Sequence, residues 1–176
     1  MKRKNEIQSL LQSRILVLDG AMGTMIQSYR LEEQDFRGEQ FRLVSKDQKG
    51  NNDLLNLTQP EIIRDIHRKY LDAGADIIET NTFSANRISQ ADYGMKEYVY
   101  RLNFEGAKIA SSCASEYTMK NHNKPRFVAG SIGPTNKTAS LSSRVEDPGY
   151  RDVTFDDFVK IYGEQAIGLI EGGVDL

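Results

Sequence analysis

Three short polar clusters hold the residues of this chain whose types and spacing suit chemistry. They are Asp19-Gly20-Ala21-Met22-Gly23-Thr24, Glu79-Thr80-Asn81-Thr82 and Ser131-Ile132-Gly133-Pro134-Thr135-Asn136. Each directly follows an apolar run, so each falls at the C-terminal end of an expected strand. Together they supply carboxylates, amides, hydroxyls and backbone N–H groups. Gly20, Gly23, Gly130 and Gly133 let a small ligand approach the backbone closely. In a parallel barrel all such strand ends share one face, the face that holds active sites. Singly the clusters are ambiguous. Asp19 also suits a helix cap, and Glu79 suits an ion pair with an internal lysine. Three clusters in register are a stronger signal than any one.

The remaining reactive types read as structure. Cys113 lies on an apolar helical stripe, where a small core thiol is the expected role. His67 stands beside Ile63 and Tyr70 on a helix flank, and His122 in a polar stretch. One cysteine and two scattered histidines form no metal motif and allow no internal disulfide. No catalytic residue and no metal ligand is assigned.

The elements that must position the clusters follow from hydrophobic patterning. A short amphipathic N-terminal helix precedes Ile15-Leu16-Val17-Leu18-Asp19-Gly20, which has the form of a strand buried on both faces. Residues 29–57 are polar and charged and read as a long connection, its run 30–49 a solvated loop. Thr58 and Glu61 are spaced for a capping box around Pro60. They open a helix with Ile62, Ile63, Ile66, Tyr70 and Leu71 on one face, ended by Gly74. Strand Asp76–Thr80 follows at once. A long helix across 96–119 is striped by Val99, Leu102, Gly106, Ile109, Ala110, Cys113 and Tyr117. A strand from Phe127 exits through glycines into a polar loop, 134–153. Thr154 and Asp157 cap a last helix with an expected inner face of Phe158, Val159, Tyr162, Ala166, Leu169 and Ile170.

Alternating strands and helices imply right-handed parallel units. Four strands at this spacing match about half of a (β/α)8 TIM barrel, from the first strand to the start of the fourth. A doubly wound open sheet is the alternative. No G-x-G-x-x-G follows the first strand, so a dinucleotide site is unsupported. The junction Gly74-Ala75-Asp76-Ile77 recurs as Gly173-Val174-Asp175-Leu176. A domain rarely stops where a buried parallel strand begins, because the neighbouring backbone then stays unpaired. Residues 1–176 are therefore expected to be the N-terminal part of a larger barrel domain.

Composition narrows the partners. Charged residues make up 27% of the 176 and the formal net charge is -2. This balance gives no argument for nucleic acid or an anionic membrane surface. No apolar run approaches a membrane span, and the basic N-terminus lacks a signal-peptide core. A reducing cytoplasm is the expected compartment.

Four segments, in order, carry a resemblance. They are Asp19-Gly20-Ala21-Met22-Gly23-Thr24-Met25-Ile26-Gln27, Lys49-Gly50-Asn51-Asn52-Asp53-Leu54-Leu55, Gly74–Phe83, and the run from Gly130 to Ser140, which contains Gly133-Pro134-Thr135-Asn136-Lys137-Thr138-Ala139-Ser140. Together they resemble the N-terminal homocysteine-binding module of cobalamin-dependent methionine synthase, over nearly the whole chain. The last segment favours that enzyme over the shorter cobalamin-independent homocysteine methyltransferases.

The resemblance implies a (β/α)8 barrel and methyl transfer from methylcobalamin to the sulfur of homocysteine, giving methionine. Its partners are cobalamin-binding and methyltetrahydrofolate-binding modules of the same polypeptide. It implies zinc held by three cysteines of later strands, which are absent from this chain; Cys113 matches none of them. By position, Gly20 and Ala21 would offer backbone N–H groups to the substrate carboxylate, with Asp19 fixing the turn. Glu79, Asn81 and Thr82 would line the floor and rim, and Ser131, Gly133 and Thr135 part of the wall. The alternatives are a cobalamin-independent homocysteine S-methyltransferase and a non-catalytic binding fragment. On any of these readings the 176 residues alone are expected to be inactive.

Overall fold

In the computed structural model of the chain, which describes residues 2–176, extended segments lie side by side in sequence order. Met1, at the head of the basic N-terminal run, lies outside the described residues. Strand β1 (Ile77–Glu79) pairs in parallel with β2 (Phe127–Ala129), Ile78 opposite Val128. Before β1 runs the segment around Leu18, joined to it by a single parallel bridge, Leu18 to Ile77. Beyond β2 runs Val174–Leu176.

The recurring glycine–aspartate junction makes the same bonds twice. Asp76 N–H and Ile77 N–H donate to Val17 O at 2.8 and 3.1 Å, and Asp19 N–H donates to Ile77 O at 3.0 Å. Asp76 Oδ2 accepts the Val17 N–H at 2.9 Å. In the second copy Asp175 N–H and Leu176 N–H donate to Val128 O at 2.9 and 3.2 Å, and Gly130 N–H donates to Leu176 O at 3.0 Å. Asp175 Oδ2 accepts the Val128 N–H at 3.0 Å. Each aspartate also takes an arginine. Arg14 is bidentate on Asp76, both bonds 2.9 Å, and Arg3 Nε lies 2.5 Å from Asp175 Oδ1. Burial raises the Asp76 carboxyl, but the Arg14 and Val17 hydrogen bonds outweigh it and hold the group below the usual range.

The first apolar run departs from its reading. Ile15 is 86% exposed, and Val17 and Leu18 are about half exposed, rather than buried on both faces. Among the described residues its backbone-to-backbone bonds go only to β1 and the junction before it, so an apolar sequence alone did not secure burial.

Helix α1 (Lys2–Ser13) leads into this segment. Residues 29–57 are not a plain loop. They contain α3 (Glu33–Arg37), a 3₁₀ turn (Asn52–Leu54) and α4 (Leu55–Thr58), after the short α2 (Met22–Gln27). Buried Phe36, Phe41, Leu54 and Leu55 anchor the stretch. Glu33 ties it together by accepting the Gln48 and Lys49 N–H groups. The charge run therefore wraps the fold through charged hydrogen bonds, which polarity alone does not disclose.

Helix α5 (Pro60–Asp72) keeps proline in its first turn, but no capping box forms. Thr58 ends α4, and its hydroxyl bonds to Leu54 O instead. Gly74, at φ 105°, makes the left-handed exit into the sheet. After α6 (Arg87–Asp92) and a 3₁₀ turn (Lys96–Tyr98), α7 (Val99–Lys120) buries the expected stripe as far as Cys113, with Tyr117 half-buried. Leu71, Ala75, Ile78, Ala110, Cys113, Ala114 and Val128 pack α5 and α7 onto the sheet.

Helix α8 (Phe155–Gly172) forms the expected Thr154–Asp157 capping box. Its inner face matches the expectation in part: Leu169 is buried and Phe158, Tyr162 and Ala166 are half-buried, whereas Val159 and Ile170 are exposed, and Gln165, Gly168 and Gly172 complete the buried face. A Cβ on Gly172 would lie 2.5 Å from Ala107 Cβ, and one on Gly168 2.9 Å from Asn103 Cβ. Close approach to α7 selects the glycine face, and Val159 and Ile170 turn outward. Residues 134–153 carry neither helix nor strand, as expected. No helix among the described residues is long and apolar enough to cross a membrane.

Candidate functional site

A cavity of about 520 Å³ opens at the C-terminal ends of the parallel segments. Seven of the nine expected residues line it: Asp19, Gly20, Ala21, Glu79, Asn81, Thr82 and Ser131. Gly133 and Thr135 do not. Gly133 is pressed under Phe83, to whose carbonyl its N–H donates at 3.0 Å, and Thr135 donates to Lys137 O within its own loop.

One wall is the turn out of the first segment. Ala21 precedes α2 in a left-handed conformation, φ 48° and ψ 33°. A non-glycine residue there is uncommon and marks a turn held by its surroundings. Gly20 and Ala21 are exposed, and their N–H groups hydrogen-bond to none of the described residues. Asp19 does not cap α2. Its Oδ1 accepts the Glu79 N–H at 2.9 Å, clamping the turn to the end of β1. Burial pushes the Asp19 carboxyl up to about 7, against that hydrogen bond. Glu79 is exposed and forms no ion pair among the described residues, so the lysine pairing is not found.

The floor is a polar lattice. The Asn81 amide donates to Asn52 O at 2.8 Å and Asn56 Oδ1 at 3.2 Å, and Asn56 donates back to Asn81 O at 2.7 Å. Thr82 Oγ1 lies 2.6 Å from Thr80 Oγ1 and donates to Ser131 O at 2.8 Å. Gln165 reaches from α8 to Thr82 O at 2.8 Å. Asn81 and Thr82 are buried, with their donors already used. They shape the cavity, and little of their hydrogen-bonding capacity is free for a ligand.

The rest of the lining includes Asn51, Asn52, Asp53, Ser84, Ser89, Asp92, Tyr93 and Asn136, with Phe83 beside them. None of these was selected as a site residue from sequence. The polar run Asn51-Asn52-Asp53 ahead of two leucines was the available signal; Tyr93 offered none. Asp53 is buried and accepts the Ser84 N–H at 3.1 Å, while burial pushes its carboxyl up to about 7.

Parallel segments in sequence order, helices packed on them and a polar cavity at the strand ends define an α/β protein built to hold a small ligand. The family described as homocysteine S-methyltransferase matches residues 16–176. The chain belongs to this family. Its fold is similar to that of the homocysteine methyltransferase MmuM from Escherichia coli. The metallated form gives a TM-score of 0.70 at 24% identity, covering 97% of this chain and 55% of that one. The oxidised form gives 0.70 at 25%, over 97% and 54%. The apo form gives 0.62 at 23%, over 95% and 49%. The chain thus spans about half the length of these structures.

Among the described residues no group of three His, Cys, Asp or Glu side chains could hold a metal ion. Cys113 is buried in the α7 core, where burial raises its thiol, and His67 is buried in α5. These residues do not fit a zinc centre, and no chemical step is assigned to one here.

Proposed function

We propose that this chain is the first half of a (β/α)8 barrel that binds homocysteine, and that the intact protein transfers a methyl group from methylcobalamin to its sulfur. The methyl's bond to its donor would break with the electron pair left on the donor, a carbon–sulfur bond would form as the thiol proton leaves, and methionine would result. Four extended segments in unbroken sequence order favour a barrel over a doubly wound sheet, whose order reverses at a switch point. Family membership and a span of about half the MmuM structures support the same reading.

The observation that carries it is the Gly20–Ala21 turn. Two free backbone N–H groups face a cavity at the strand ends, held in place by the Asp19–Glu79 bond. Pre-placed backbone donors suit a carboxylate because they lose little entropy on binding. Glu79 and Ser131 would complete the rim, over a floor shaped by Asn81 and Thr82. Gly133 would act on the wall indirectly, by seating Phe83, and Thr135 by shaping its loop.

Titration calorimetry with L-homocysteine tests this. A Cβ on Gly20 meets nothing within 4 Å, so Gly20→Val leaves the fold alone and obstructs only a ligand. Gly20→Val and Asp19→Ala should each weaken binding about ten-fold or more, the worth of hydrogen bonds to a charged group. Unchanged affinity in two folded variants would place the carboxylate elsewhere. Mixed with zinc, methylcobalamin and homocysteine, the 176-residue chain alone should form no methionine above background. Turnover would remove the case for a partial site.

A further inference from the structure

A second hollow, of about 430 Å³, lies where α2 turns into α3, and the strand-end site makes no use of it. The two hollows share Gly50 and Asn52 in their linings. The floor of the second is apolar: Ile26 and Phe36 are buried and Leu31 is half-buried. Its rim is polar and carries Gln27, Arg30, Glu32 and Lys49. Lys49 Nζ lies 2.5 Å from Glu32 Oε2, so those two charges offset each other. Arg30 is left over. Among the described residues its guanidinium makes no hydrogen bond and no ion pair, and the Gln27 side-chain amide makes no hydrogen bond.

The fold fixes where Arg30 stands. Its φ is 53°, in the left-handed region that few non-glycine residues adopt. Its N–H donates to Gln27 O at 3.1 Å. On one side Tyr29 packs against the cluster around Ile26 and Phe36, and its hydroxyl bonds to Asp65 and accepts from Lys69 Nζ at 3.0 Å. On the other side Leu31 packs into the same cluster. Two anchored neighbours therefore hold the backbone in a conformation that arginine by itself disfavours. A solvated surface arginine requires no such hold.

We propose that this hollow is a second ligand site, for a small organic anion that joins a carboxylate to an apolar body. The Arg30 guanidinium presents a planar fork that matches a carboxylate with two parallel N–H bonds. Gln27 offers an amide N–H on the same rim. Ile26, Leu31 and Phe36 take the apolar body out of water. With Lys49 and Glu32 paired, the rim is left with the single positive charge of Arg30, which a monoanion matches. An inorganic anion would use the fork and leave the floor bare. The two hollows have no charged residue in common, so both ligands can be held at once.

Ligand-observed NMR titration of the 176-residue chain tests this with 4-phenylbutanoate and its uncharged counterpart, 4-phenylbutanol. The acid should bind about five-fold more tightly than the alcohol, the scale of an exposed ion pair. Arg30→Asn introduces a residue that tolerates the left-handed backbone. It should erase the preference and leave the affinity for the alcohol unchanged. Arg30→Gly, free of steric demand at this φ, should do the same. Saturating homocysteine should leave the affinity for the acid unchanged. Failure of the acid to bind the parent, equal affinity for acid and alcohol, or a preference that survives in either folded variant overturns the proposal. Displacement of the acid by homocysteine puts the acid in the strand-end cavity and overturns it as well. If homocysteine itself does not bind, the homocysteine reading falls alone, and the Arg30 variants still decide this one.

Discussion

Asn81 shows how a polar residue at a strand end serves a site without touching what the site holds. Both of its amide hydrogens are used inside the protein, on Asn52 O and Asn56 Oδ1, and its carbonyl takes the Asn56 amide. Replacing it by alanine leaves the buried Asn56 Oδ1 unpaired, while Asn52 O keeps the Leu55 N–H. Asn81→Ala should therefore cost about 1–3 kcal/mol of stability, read as a lowered urea midpoint at constant slope. Little change in the midpoint, with lost homocysteine binding, would instead make Asn81 a direct ligand. Gly20→Val is the counterpart, since it changes the approach of a ligand and the Cβ it adds has nothing within 4 Å beyond its chain neighbours. The two substitutions separate residues that build the cavity from those that face its contents.

At the scale of elements, the α7–α8 contact rests on glycine. A Cβ on Gly172 would meet Ala107 Cβ at 2.5 Å and the backbone Phe104 O at 2.6 Å, and backbone cannot move aside cheaply. Gly163, in the same helix, has nothing within 4 Å of its Cβ position. Helix propensity alone favours alanine over glycine by about 1 kcal/mol at both positions. Gly163→Ala should accordingly raise the melting temperature, while Gly172→Ala should lower it as overpacking of roughly 1–3 kcal/mol outweighs propensity. A rise in both variants would mean the helices do not meet through this face. The same contact explains why the capping box of α8 was legible and its inner face only in part. A cap is a local exchange between Thr154 and Asp157. A packing face is chosen by what stands opposite, and glycine leaves no hydrophobic trace.

Across the whole molecule, buried ionisable groups set opposing pH trends. Burial, reinforced by the nearby charge of Arg64, lowers the His67 pKa from 6.5 to about 4. The unfolded chain therefore binds the proton more readily, and this contribution to stability is full above pH 6.5 and is lost as pH falls toward 4, by roughly 3 kcal/mol. Asp53 and Asp19 act in the reverse sense. Their folded values near 7 lie above the ordinary 3.8, so their contribution is full below pH 4 and is lost as pH rises through 7. Urea unfolding of His67→Leu between pH 4.5 and 7.5 separates them. Two raised carboxyls outweigh one depressed imidazole, so the parent should gain stability toward acid, and the variant should gain it about twice as steeply between pH 4.5 and 6.5. Equal slopes in parent and variant would show that His67 does not oppose the carboxyls.

Sequence by itself determined what depends on neighbours along the chain. It placed the helices from Pro60, from near Val99 and from Phe155, the short strands after Gly74 and at Phe127, and the repeated Gly-x-Asp junction, whose bonds recur at Asp76 and Asp175. It also brought Asp19, Gly20, Ala21, Glu79, Asn81, Thr82 and Ser131 to one cavity, because parallel strands put all their C-terminal ends on one face. Tertiary structure alone decided the rest. Thr58 closes α4 instead of opening α5, the 29–57 stretch folds around buried aromatics, and Gly133 supports Phe83. Asp53 became a cavity residue through the approach of the 3₁₀ turn to the strand ends, a contact between Asp53 and Ser84 across 31 positions. Burial and hydrogen-bond pairing are properties of surroundings, and residues distant in the chain supply them only after it has folded.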